Sequence, residues 1–265
     1  MPGTVITDLR RHGAVDPGRL LAGPLRAVGL QWLEPGHSVE ATAEGAEHAL
    51  YVTAGSGLGA LPEDVVQPDH PERAGTGLPL IDGTALVLPL GSRTVLTAGT
   101  AGLEYFHAVL AVPAVESSPE EAGEAGPAQL VVTTGTGSAM VLLGRDGARV
   151  RIRSLARRAM ITSACEAFDQ LRLSPGAHHV LPGRPDAETV LHVLRGAAAI
   201  GQRADEPDHL ASDGDLLLAR RGRTLHLEAG PLGAELLCLT LAVPRHRAGT
   251  RAALARRRAE RCDRP

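Results

Sequence analysis

An internal repeat constrains this chain more than any other feature. Residues 44–55, Glu-Gly-Ala-Glu-His-Ala-Leu-Tyr-Val-Thr-Ala-Gly, have a counterpart in Ala187 to Gly196. Both stretches are apolar and partly β-branched, close on a glycine and lead to an Asp-Gly strand, Asp82 to Leu88 and Asp213 to Ala219. The match extends outward: Pro35-Gly36 returns as Pro175-Gly176, and Ala111-Val112-Pro113 as Ala242-Val243-Pro244. A unit of roughly 130 residues that occurs twice must be folded twice. The expected division is residues 1–113 as an N-terminal unit with a lead-in arm, 114–128 as an acidic linker, 129–246 as a C-terminal unit and 247–265 as an arginine-rich tail with a short helix over Arg251 to Arg261.

Each unit reads as β-structure. Leu30 to Glu34 is a strand ending in a Pro-Gly turn, and residues 44–55 supply the next pair. Residues 59–79, with prolines at 62, 68, 71 and 79, read as an inserted loop. Thr84 to Leu88, Thr94 to Thr97 and Glu104 to Val112 follow as three strands separated by glycine turns. Leu130 to Thr133, Ala139 to Leu143, Ala148 to Arg153 and Phe168 to Leu173 continue the pattern in the second copy.

Composition excludes several classes of function. Net charge is −3, so the bulk balance suggests neither a nucleic-acid nor a membrane partner. Two Phe, two Tyr and one Trp are too few for base-stacking platforms. The amino terminus lacks the basic-then-apolar order of a signal peptide, which makes a cytoplasmic location the expectation. Cys165, Cys238 and Cys262 are far apart and read as reduced thiols.

Each copy resembles a cupin, a small antiparallel β-barrel. The family's second motif is matched by Gly83, Pro89, Gly91 and Thr94, and more loosely by Gly214, Arg220, Gly222 and Leu225; the glycine that closes its first motif is Gly55 or Gly196. The resemblance spans roughly residues 30–245 and implies an all-β fold of two tandem jelly-roll barrels, a bicupin. Among bicupins the chain is similar to the (S)-ureidoglycine aminohydrolase family, through residues 44–55 and Phe168 to His179. The metal positions that the family implies fall on Thr42, Glu44, His48 and Thr94 in copy one and on Gly183, Pro185, Thr189 and Leu225 in copy two. Copy two is therefore expected to bind no metal. Copy one has Glu44 and His48 as competent ligands, with His107 as a third if its side chain turns inward, so the cofactor is expected to be absent or a weakly held Mn, Fe or Zn.

Strand alternation adds an argument that does not depend on the resemblance. With His48 inward, Leu50 and Val52 are inward and Tyr51 is outward. Glu44, four residues before His48, then suggests a general acid/base pair, with Thr94 as a further polar group. Tyr51 would reach a ligand only across a β-bulge. In copy two, Glu188, His192 and His226 are expected to face out of the barrel. Two functions remain open: an enzyme acting on a small polar molecule through Glu44, His48, Thr94 and His107, or a catalytically silent bicupin that binds a small ligand or a protein partner. The enzyme is preferred because polar groups inside an apolar barrel are costly to keep; homo-oligomerisation is left open.

Overall fold

The computed structural model describes residues 4–60, 77–112, 131–133, 139–144, 147–157, 165–203 and 207–243. The acidic linker, most of the proline-rich loop and the arginine-rich tail lie outside them. The first half contributes β1 (Thr4–Asp8), the short helix α1 (Leu9–His12), β2 (Ala14–Val15), β3 (Leu25–Leu33), β4 (Ser38–Thr42), β5 (Ala46–Ala60), β6 (Leu78–Ile81), β7 (Ala85–Leu88) and β8 (Arg93–Ala111). The second contributes β9 (Val131–Thr133), β10 (Ala139–Leu143), β11 (Arg149–Arg157), β12 (Cys165–Leu173), β13 (His178–Leu181), β14 (Ala187–Gly201), β15 (His209–Ser212), β16 (Asp215–Ala219) and β17 (Leu225–Ala242). All pairings among them are antiparallel. No helix among the described residues is long and apolar enough to cross a membrane.

The repeated glycines are where the long strands bend. Gly55 has a φ of +79°, and a Cβ there would lie 2.2 Å from the carbonyl oxygen of Gly102; Gly196 stands in the same relation to Gly233. Only glycine permits that backbone conformation and that approach. The register of β5 against β8 shifts at these points, and the strand continues to Ala60. Likewise Thr94 to Thr97 and Glu104 to Val112, expected as two strands, belong to one, β8. Its first half pairs with β4 and the end of β5, its second half with β3 and the start of β5. What reads as a glycine turn is a bend that carries one strand from one face of the barrel to the other.

Alternation along these strands feeds three apolar clusters. Leu50 and Val52 of β5, with Leu86, Leu88, Leu96 and Leu103, fill the first barrel. Leu191 and Val193 of β14, with Leu217, Leu225, Leu236 and Cys238, fill the second. The opposite faces of the same strands meet between the barrels, where Tyr51, Phe106, Phe168, Val190, Leu237 and Leu239 form a third cluster.

The barrels also exchange edge strands, so strand pairing crosses the expected domain boundary. β1 pairs with β16 in the C-terminal sheet and β9 pairs with β7 in the N-terminal sheet. Glu188, outward from its barrel yet 2% exposed, accepts the backbone N–H groups of Ala22 (2.9 Å) and Gly23 (2.8 Å), which ties the N-terminal arm to β14.

Candidate functional site

The lumen of the N-terminal barrel holds two linked imidazoles. His48 leads into the inward row of β5 with Leu50 and Val52, and His107 belongs to the inward row of β8 with Leu103 and Tyr105. In the ladder His107 lies opposite Leu50, so the rings meet diagonally across neighbouring strands. His107 Nε2 and His48 Nδ1 are 3.2 Å apart and the ring centroids 5.0 Å apart. Tyr105 flanks His107 at a centroid distance of 6.3 Å.

Burial disfavours charge on both rings. The His48 pKa is lowered by desolvation, and that of His107 is pushed down to about 4, by burial first and by the adjacent His48 second. One N–H lies between the rings, and this fixes what a neutral pair can present. The ring that donates keeps a lone pair at its other nitrogen, and the ring that accepts keeps an N–H at its other nitrogen. In either arrangement the pair offers one donor and one acceptor at its two ends.

The remaining expected site residues do not join the pair. Glu44 sits exposed on the bend between β4 and β5, and the hydrogen-bond partner of His48 is His107 rather than Glu44. Gly45, at a φ of +72°, breaks the strand between Glu44 and His48, so a four-residue spacing no longer puts both side chains on one face. Thr94 is fully buried and its hydroxyl donates to the Ala60 carbonyl at 3.0 Å. Tyr51 faces out of the barrel because the β5 register is unbroken from His48 to Tyr51 and shifts only after Val52. Its hydroxyl accepts from Gln170 of the second barrel at 2.8 Å, and its pKa rises to about 12, chiefly through burial. Tyr51 therefore serves the contact between barrels.

The second barrel provides an internal comparison. Thr189 and Cys238 stand at the places of His48 and His107; Cys238 lies opposite Leu191 as His107 lies opposite Leu50. Together with Thr240 they line a cavity of about 360 Å³ whose rim carries Arg157 and Arg184. Burial pushes the Cys238 thiol up to about 12, so it stays protonated and lines the cavity as a soft apolar group. Sequence reasoning missed Arg153 and Gln170, which fasten the barrels through the Gly83 carbonyl and Tyr51; both lie on strands whose inward or outward sense depends on the partner barrel.

The whole architecture is shared with proteins of known structure. A putative glyoxylate-induced protein from Pseudomonas aeruginosa is similar over 93% of this chain and 84% of its own, at 17% identity and a TM-score of 0.62. The fold is that of the cupins. A bacterial pirin from Escherichia coli, in complex with nickel(II), is similar over 91% of this chain and 100% of its own (12% identity, TM-score 0.58). Oxalate decarboxylase from Bacillus subtilis, with its Mn(II) centres, is similar over 90% and 77% (14% identity, TM-score 0.57). No protein-family model and no curated protein sequence matches the chain.

Two of these structures hold a metal, nickel(II) or Mn(II), and the donor set here can be tested for one. At a metal–nitrogen distance of about 2.0–2.1 Å, two neighbouring ligands on one ion are separated by roughly 3.0–3.4 Å, which the 3.2 Å spacing of His48 and His107 satisfies. The set stops at two: among the described residues no three His, Cys, Asp or Glu converge, Glu44 is exposed and the Thr94 hydroxyl serves Ala60. Structural and catalytic sites use three or four protein ligands, so these residues do not fit a tightly held divalent ion.

Proposed function

We propose that the N-terminal cupin barrel binds a small polar metabolite and moves a proton on it through the His48–His107 pair. The observation that carries this is the hydrogen bond between two neutral imidazoles inside a lumen lined mainly by leucine, valine and alanine. The ring nitrogen at the lone-pair end takes a proton from the substrate, the shared proton shifts to the other ring, and that ring's outer N–H gives its proton to the substrate at a second position. No net charge is created on the pair, in keeping with its depressed pKa values. Chemistry of this kind suits isomerisation, or elimination next to a carbonyl, in a small amino or hydroxy acid. The second barrel supports the reading, because the same fold closes around Thr189 and Cys238 without any imidazole pair.

The test is solvent-deuterium incorporation, followed by proton NMR, with wild-type protein offered ureidoglycine first and then a panel of small amino, keto and hydroxy acids. Incorporation at one carbon-bound position of a panel member, with or without net conversion, is expected. Protein that binds a panel member but exchanges no proton on any of them would instead make this a silent binding barrel.

A further inference from the structure

The two barrels leave a cleft of about 340 Å³ between them, and its charges are not symmetric although its acids are. The repeat places an acid in each Asp-Gly turn, Asp82 and Asp213, and one on each long strand, Glu104 and Glu235; all four line the cleft. On one side these acids are neutralised. Glu235 lies in register between Arg172 and Arg195; Arg172 ion-pairs with it at 3.1 Å, while Arg195 reaches across to Asp82. On the other side Glu104 lies in register between Trp32 and Ala54, which cannot supply a cation. Among the described residues Glu104 has only the Thr53 hydroxyl, at 2.7 Å, and Asp213 has no ion pair.

A third acceptor lies on the same lining. His192 is 2% exposed, stacks on Phe106 at 5.2 Å, and donates from Nδ1 to the Asp215 carbonyl at 3.2 Å. Its Nε2 therefore carries a lone pair and has no hydrogen-bond partner among the described residues. Arg10 is the remaining guanidinium on the lining; its stem packs by Gly214 and it makes no ion pair among the described residues. Two unneutralised carboxylates and a buried acceptor call for a ligand that is cationic and rich in N–H donors.

We propose that this cleft is a second ligand site, separate from the barrel lumen, that takes a small amine or guanidine at the place where copy one lacks the two arginines of copy two. Isothermal titration of the full chain at low ionic strength tests it, with 1,4-diaminobutane and methylguanidine as probes and 1,4-butanediol and succinate as controls. One saturable site for the cations is expected, with no binding of the diol or succinate. Glu104→Gln and Asp213→Asn should each weaken binding about tenfold or more. Ala54→Arg, which places a guanidinium where Arg195 stands in the other copy, should abolish binding while both carboxylates remain and the melting temperature holds. Absence of saturable binding by either cation overturns the proposal, as it would if Arg10 already filled the role. Binding of succinate in their place, or undiminished binding in Ala54→Arg, overturns it equally.

Discussion

Phe106→Ala is expected to cost about 3–5 kcal/mol of unfolding free energy, the usual range for emptying a fully buried aromatic site. Phe106 is 0% exposed, and it points away from its own barrel into the cluster between the two. There it stacks on His192 at an interplanar angle of 18°. Its removal therefore opens a void that neither barrel can close alone, and it strips a contact from a buried neutral imidazole. Urea denaturation of wild type and variant measures the effect. Trp32→Ala supplies the contrast: Trp32 is larger but 53% exposed, so much less apolar area is lost. A loss below about 1 kcal/mol for Phe106→Ala would mean that the barrels are not packed together through this face.

The second large effect falls on the reaction. His48→Gln and His107→Gln should each lower proton exchange on the substrate by about 10²–10⁴-fold, the range for losing a positioned general acid or base. Either substitution interrupts the relay, since one amide cannot take up a proton at one end while releasing it at the other. The two losses should not add, because both residues act as one unit. Stability is expected to hold, for the second barrel closes around Thr189 and Cys238 at the same places. Loss of exchange together with loss of fold would point to a structural pair instead. Equal exchange in wild type and both variants would remove the pair from the chemistry.

The repeat made the all-β architecture legible, because strand signals and closing glycines recur with a consistent register. Alternation likewise put His48, Leu50 and Val52 on one face and Tyr51 on the other, as the clusters show. The Glu44–His48 pair was not readable in the same way. Spacing along a strand has meaning only while the strand continues, and Gly45 interrupts it. The continuity of β8 was hidden because Gly99 and Gly102 look like a turn; one lies against Ser56 and the other beneath Trp32, both at a bend. Nor does any local signal announce the exchange of β1 and β9, since a short edge strand carries no record of which sheet it joins. His192 shows the same limit: alternation turned it out of its barrel, but its burial depends on the other barrel covering that face.

The most direct measurement is a pH titration of the imidazole nitrogens by ¹⁵N NMR on the wild-type protein. A pair that works as a relay must be neutral and hydrogen-bonded near pH 7. Desolvation puts the folded pKa of His107 near 4 and that of His48 below 6.5, whereas an unfolded histidine titrates near 6.5. The unfolded chain thus binds more protons as pH falls below 6.5, and the pair's contribution to stability is complete above that pH and lost on approach to 4. The account predicts two neutral rings at pH 7, one nitrogen of each shifted by a shared hydrogen bond, no protonation of His107 until well below pH 5, and a displaced His107 titration in His48→Gln. Two rings that titrate independently near pH 6.5, with no shared hydrogen bond, would contradict it.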